Sequence, residues 1–244
     1  MRPLRIVVVI GLALATGCAP LAPASRAGRP PARGESGRSS QAAIAAGLAE
    51  TLQVAARRTV GRTARDGGFR DHSRIRVRVP GELDGMVAAL RPMGMGGPMN
   101  VLELAMNRAA ERAAGQALPV FDEAIAGLRF DDAAAVLKGP EDAATRALRA
   151  QAGAELGRRL TPIVEESMRQ VGLLQAYDQL LERYRGLPSY RDPGLDLLDY
   201  VTRSTLDGLF LILAEEERRI RSEPDARRSE RLQRLFGSAP PAGT

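Results

Sequence analysis

The chain has 244 residues, with 35 Lys or Arg against 29 Asp or Glu, 44% apolar residues, one His, one Cys and no Trp. A lone imidazole at His72, with no G-x-S-x-G elbow to present a serine, excludes triad chemistry, and one His and one Cys cannot complete a four-ligand zinc site. A single cysteine closes no internal disulfide, so stability has to come from side-chain packing, and no cofactor is expected.

Residues 1–17 read as an export signal: Arg2 and Arg5 precede an apolar run from Ile6 to Leu14, and Ala15-Thr16-Gly17 stands before Cys18. Small residues ahead of a lone cysteine resemble a bacterial lipobox, in which cleavage leaves the cysteine first and its thiol carries diacylglycerol. An ordinary signal peptide or an uncleaved anchor is the alternative. Several acyl chains on Cys18 would give a stable membrane attachment. Ala19 stands where inner-membrane lipoproteins commonly carry Asp, so the resemblance points to the periplasmic face of the outer membrane. Residues 18–40, dense in Pro, Gly, Ser and Ala, read as a lipid-attached tether with a reach of ~25 Å.

Loss of Arg2 and Arg5 lowers the formal net charge from +6 to +4. The segment 57–78 holds eight Arg against Asp66 and Asp71. Such a cluster suits an anionic lipid or polymer, or an envelope protein, or is simply a solvated surface in an arginine-biased chain. Export argues against nucleic acid.

Ser40 is a plausible N-cap for a helix carrying Ile44, Leu48, Leu52 and Ala55 on one face, ending before the turn Asp66-Gly67-Gly68. From Arg74 to Pro80, Ile75, Val77 and Val79 alternate with arginines, which predicts a short strand pairing with a neighbour or a second copy, or else an extended segment lying across helices. Further helices are expected over Glu82–Leu90, Met99–Ala117, Pro119–Leu128, Asp131–Leu137, from Gly139-Pro140 to about Leu160, and over Leu173–Tyr184. Thr161-Pro162 marks either a new N-cap or a kink. The stripe Leu102, Met106, Ala109 and Ala113 makes the Met99 helix the firmest of these. In the run Asp196–Arg221, Leu206, Leu209, Phe210, Leu211, Ile212 and Leu213 occupy nearly every side, which predicts a buried central helix entering solvent where Glu215 and Glu217 pair ahead of Arg219 and Arg221. A last charged helix ends at Phe236-Gly237, and 238–244 reads as a disordered tail.

Asp131-Asp132 and Glu141-Asp142 sit where helix N-termini favour acids, and Glu165-Glu166 reads as a solvated face. Asn107, Arg108 and Glu111 place an amide, a guanidinium and a carboxylate on one helical turn. They would bind a polar ligand, or form a buried network with Asp199, Tyr200 or Asp207 of the central helix.

The pieces Asn107-Arg108-Ala109-Ala110-Glu111, Asp142-Ala143-Ala144-Thr145, Pro162-Ile163-Val164, Tyr200-Val201-Thr202, Leu206 to Phe210 and Leu213 to Glu217 resemble, in that order, a family of bacterial envelope proteins, often lipoproteins, catalogued as domain of unknown function 4197. The resemblance implies a mostly helical structure and no established activity. Ala147-Leu148 departs from an aromatic pair that the family tends to have there, which argues against an aromatic-lined pocket. The expectation is an all-α, bundle-like domain over 41–237 built around a buried C-terminal helix, with one strand segment at 74–80. Its role would be a lipid-anchored binding or scaffold module. A hydrolase using acidic residues and a carrier of a small apolar ligand are the alternatives.

Overall fold

A computed structural model describes residues 33–237. In chain order the helices are α1 (Arg33–Thr63), α2 (Asp84–Leu90), α3 (Gly96–Ala114), α4 (Leu118–Ala126), α5 (Ala133–Lys138), α6 (Ala143–Gln170), α7 (Leu173–Arg185), α8 (Leu197–Ser222) and α9 (Glu230–Gly237). Single 3₁₀ turns at Gly81–Leu83, Arg91–Met93 and Pro224–Ala226 join some of them. The fold is all-α: no β-strand forms among the described residues. The expected signal segment, Cys18, the expected tether as far as residue 32 and the expected tail 238–244 lie outside them.

α8 starts where Asp196 accepts the Asp199 N–H at 2.9 Å, satisfying a donor that the first turn leaves orphaned. It packs against α1, α3 and α6. Leu209, Phe210, Ile212 and Leu213 are buried, each contributing ~1.5–3 kcal/mol on transfer from water, while Leu206 and Leu211 are half-buried. The central position is as expected, but the helix does not leave the core after Leu213: Glu216, Glu217 and Ile220 are all buried. Phe210 meets Phe121 of α4 edge-to-face at 5.8 Å.

α1 reaches back to Arg33, into the stretch expected to be tether. Adding turns to a helix already nucleated is far easier than starting one, so Gly34 and Gly37 do not stop it. α6 runs unbroken through Pro162, and Thr161 Oγ1 donates to the Gly157 carbonyl at 2.9 Å in the same turn. On α3 the expected stripe Leu102, Met106, Ala109 and Ala113 is fully buried.

The expected strand at 74–80 is not formed. Ile75 and Val77 are buried and Val79 half-buried while Arg74, Arg76 and Arg78 are exposed, so the alternation is as read. The segment nevertheless lies across helices, because side chains and not a neighbouring strand satisfy its backbone. Before it, Gly67 turns the chain at φ +79°, and Phe69 drops fully buried against Gly208 of α8. A Cβ on Gly208 would stand 2.6 Å from Phe69 Cε1 and 3.2 Å from Ile75 Cβ. Gly208→Ala gains ~1 kcal/mol of helix propensity but overpacks this contact by ~1–3 kcal/mol. A net loss is expected, read as a lower urea midpoint at unchanged m-value.

Candidate functional site

Asn107, Arg108 and Glu111 project from α3 toward the chain between Asp66 and Val79. Asn107 is fully buried. Its Oδ1 accepts the Val77 N–H at 2.9 Å, and its Nδ2 donates to the Val77 carbonyl at 2.7 Å and to the Glu103 carbonyl at 2.8 Å. One amide thus serves both polar groups of Val77, as a strand partner would. Glu111 is 3% exposed, and its Oε1 accepts the N–H groups of Phe69 at 3.1 Å and Arg70 at 3.2 Å. Its Oε2 lies 3.2 Å from the Arg108 guanidinium, which also reaches Asp66 at 2.5 Å.

Of the three α8 candidates, only Tyr200 joins this arrangement, donating its hydroxyl to the Arg78 carbonyl at 2.8 Å. Asp199 pairs with Arg203 at 2.6 Å and Asp207 with Arg149 of α6, all four exposed. Burial, reinforced by Glu82 and Glu103 against an opposing Ser204 hydrogen bond, raises the Tyr200 hydroxyl above the usual phenol range. The folded state therefore favours the neutral phenol. Its contribution to stability is complete below about pH 10 and is lost as pH rises through the raised folded value. Tyr200→Phe is expected to cost about 1 kcal/mol at neutral pH and to weaken the alkaline loss, measured as denaturant midpoints across that range.

A second buried polar cluster, absent from the expected set, closes the other end of α8. Glu217, fully buried, accepts the Ala144 N–H at 3.0 Å and the Thr145 N–H at 2.7 Å, capping α6 from across the core. Arg221 pairs with it at 2.8 Å and donates to the Leu137 and Val136 carbonyls at the end of α5. Glu216 takes Arg62 at 2.7 Å and has Arg58 at 3.8 Å. The Glu-x-x-x-Arg spacing marked this cluster in the sequence, but it reads equally as a solvated surface pair. Asp132 caps α5 as expected, accepting the Ala135 N–H at 2.9 Å, whereas Asp142 makes no cap and bridges Arg146 and Arg218.

The family model described as "Protein of unknown function (DUF4197)" matches residues 38–237. The chain belongs to this family. No curated protein and no solved structure matches it.

In this DUF4197 domain the basic segment 57–78 is largely neutralised internally. Arg58, Arg62, Arg70, Arg74 and Arg76 pair with Glu216, Glu215, Asp71 and Glu103, leaving Arg57, Arg65 and Arg78 without a carboxylate within 4 Å among the described residues. The surface concavities are open grooves. One of about 460 Å³ lies between Val101, Leu104 and Arg108 of α3, Ala64 and Val171. Another of about 380 Å³ holds Arg76, Arg78 and Arg91 with Asp84 and Glu103. A third, about 330 Å³, has Glu123 and Glu155 both bonded to Arg159. No group of three or more His, Cys, Asp or Glu is placed to hold a metal among the described residues, and no helix among them is long and apolar enough to cross a membrane.

Proposed function

We propose that this DUF4197 protein is a lipid-anchored binding module of the bacterial cell envelope, attached through Cys18 at the periplasmic face of the outer membrane and acting by contact without covalent chemistry. The observation that carries this reading is the use of the buried acids. Glu111 and Glu217 accept backbone N–H groups and pair with guanidinium, and Glu216 pairs with guanidinium alone, so they serve the fold. Hydrolysis by acidic residues is the weaker reading, because glycoside cleavage needs one carboxyl raised to act as a proton donor. In the groove where two acids approach, hydrogen bonds from Arg158 and then Arg159 hold Glu155 below the usual range. Segment 57–78 as a whole is a poor anion site given its internal pairs, and its residual cationic character sits at Arg57, Arg65 and Arg78.

Cells making the full chain and fed a tagged fatty acid should label the parent protein but not Cys18→Ala, which should leave the membrane fraction. Crosslinking of the anchored protein in intact cells should then capture an envelope component. An unlabelled parent rejects the anchor, and turnover of an isolated envelope polymer by the purified chain rejects the binding-only reading.

A further inference from the structure

The N-terminal half of α3 leaves a helix face open. Val101 is 55% and Leu104 39% exposed, and Met93, in the turn leading into the helix, is 60% exposed; these are the exposed large apolar side chains of the described residues. Gly97, Pro98 and Asn100 complete the solvent side. The charged side chain on this stretch, Glu103, is half-buried and neutralised by Arg76 at 2.7 Å.

Around that face stand guanidinium groups that have no carboxylate within 4 Å among the described residues. Arg78 and Arg91 share the groove on one flank with Asn100, and Arg183 of α7 lies across the groove on the other flank with Met95, Pro98 and Val101. Arg112, one turn beyond Arg108, bonds to Gln170 at 2.5 Å. Asp84 is the opposing acid in the first of these grooves, and the exposed Asp66, paired with Arg108, lines the groove beside Val101, Leu104 and Arg112.

We propose that this face docks on an anionic bilayer surface, with Met93, Val101 and Leu104 entering the headgroup–acyl boundary and Arg78, Arg91, Arg112 and Arg183 meeting lipid phosphates. The inference rests on the reading that Cys18 anchors the chain. An apolar centre with a cationic rim fits no other occupant as well. A two-fold contact with a second copy sets the same patch against itself, so it would oppose arginine to arginine. Residues 19–32 carry Arg26 and Arg29 and no acid, and 238–244 carry no charged side chain.

The geometry is compatible with the anchor. Ala64, just past the end of α1, lines the groove beside Val101 and Leu104, while the anchor lies beyond the other end of that 31-residue helix, ~46 Å away. Fourteen residues between Cys18 and Arg33 span at most ~50 Å. Anchor and face therefore meet one bilayer when α1 lies along it.

The test uses the full lipidated chain carrying Leu104→Cys, labelled with an environment-sensitive thiol probe and reconstituted in phosphatidylethanolamine vesicles containing one quarter phosphatidylglycerol. Probe emission at 104 should shift to the blue and resist a water-soluble quencher, while the same probe at Arg234→Cys on α9 stays quenched. Changing Arg78, Arg91 and Arg183 together to Gln should lower the docked-to-undocked ratio about a hundredfold. Equal quenching at 104 and 234 overturns the proposal, as does equal protection on phosphatidylcholine vesicles, or protection that depends on protein concentration without vesicles. The parent chain should take no label because its sole thiol is blocked. A label there signals failure of the anchor reading alone, and docking is then read in a Cys18→Ala background.

Discussion

Glu217→Leu should lower stability by about 3–5 kcal/mol, a fall of roughly 10 °C in Tm for a domain of this size. The carboxylate accepts two N–H groups from the first turn of α6 and neutralises Arg221, whose side chain is only 6% exposed. Leucine matches the volume but leaves two donors unpaired at a buried helix end and strands a guanidinium in the core. Glu217→Gln should lose nearly as much, because an amide offers one acceptor and turns its NH2 toward the second donor. Two positions earlier the outcome differs. The Glu215 side chain is 22% exposed and its bonds go to the partly exposed Arg62 and Arg74, so Glu215→Ala should cost within about 1 kcal/mol. In a double-mutant cycle, Glu217→Leu with Arg221→Leu should destabilise less than the sum of the single changes by at least ~1 kcal/mol, since the stranded charge leaves with its partner. Chemical denaturation of the four proteins measures this, and a Glu217→Leu midpoint equal to the parent's would refute the capping role.

How much of this could be read from the sequence follows from how local each determinant is. The α3 stripe is set by one helix's own period, and it was legible residue by residue. Asp199 and Asp207, expected in a buried network, instead point outward: with Arg203 they recur every four residues on the side of α8 away from Val201, Thr205, Gly208 and Ile212, a period the same helical reading contains. The fate of Glu217 was not legible, because what sits over it is the start of α6, 72 residues earlier in the chain. A run of three acids followed by two arginines has the same appearance whether water or a helix N-terminus faces it. The segment 74–80 shows a third case. Its alternation correctly identified the buried and exposed residues, yet alternation carries no information about what satisfies the backbone between them. The turn on α3 stands out in the sequence for its chemistry, but that Asn107 and Glu111 direct theirs at the protein's own main chain depends on the distant segment 69–77 folding over them.

That assignment makes Asn107→Ala the sharpest discriminator between a structural and a ligand-binding role for the turn. The substitution leaves the Val77 N–H and carbonyl buried without partners, at about 1–3 kcal/mol for each group, and a loss of about 2–5 kcal/mol is expected. Asn107→Asp should do no better, since it keeps the acceptor but loses both donated bonds and buries a charge. Arg108→Ala should cost far less, because Arg108 is about one-third exposed and one of its partners, Asp66, is almost fully solvated. If the turn existed to hold a ligand, the order would reverse: folding midpoints would barely move and only binding would suffer. The loss should also be localised. With Asn107 removed, the chain from Asp66 to Val79 keeps the Glu111 anchor at Phe69 and Arg70 and the Tyr200 anchor at Arg78, so amide exchange should accelerate first at Val77. Removing Glu111 instead should expose Phe69 and Arg70 first, and because the Phe69 ring fills the space above Gly208, that opening should reach α8 and lower the global midpoint as well.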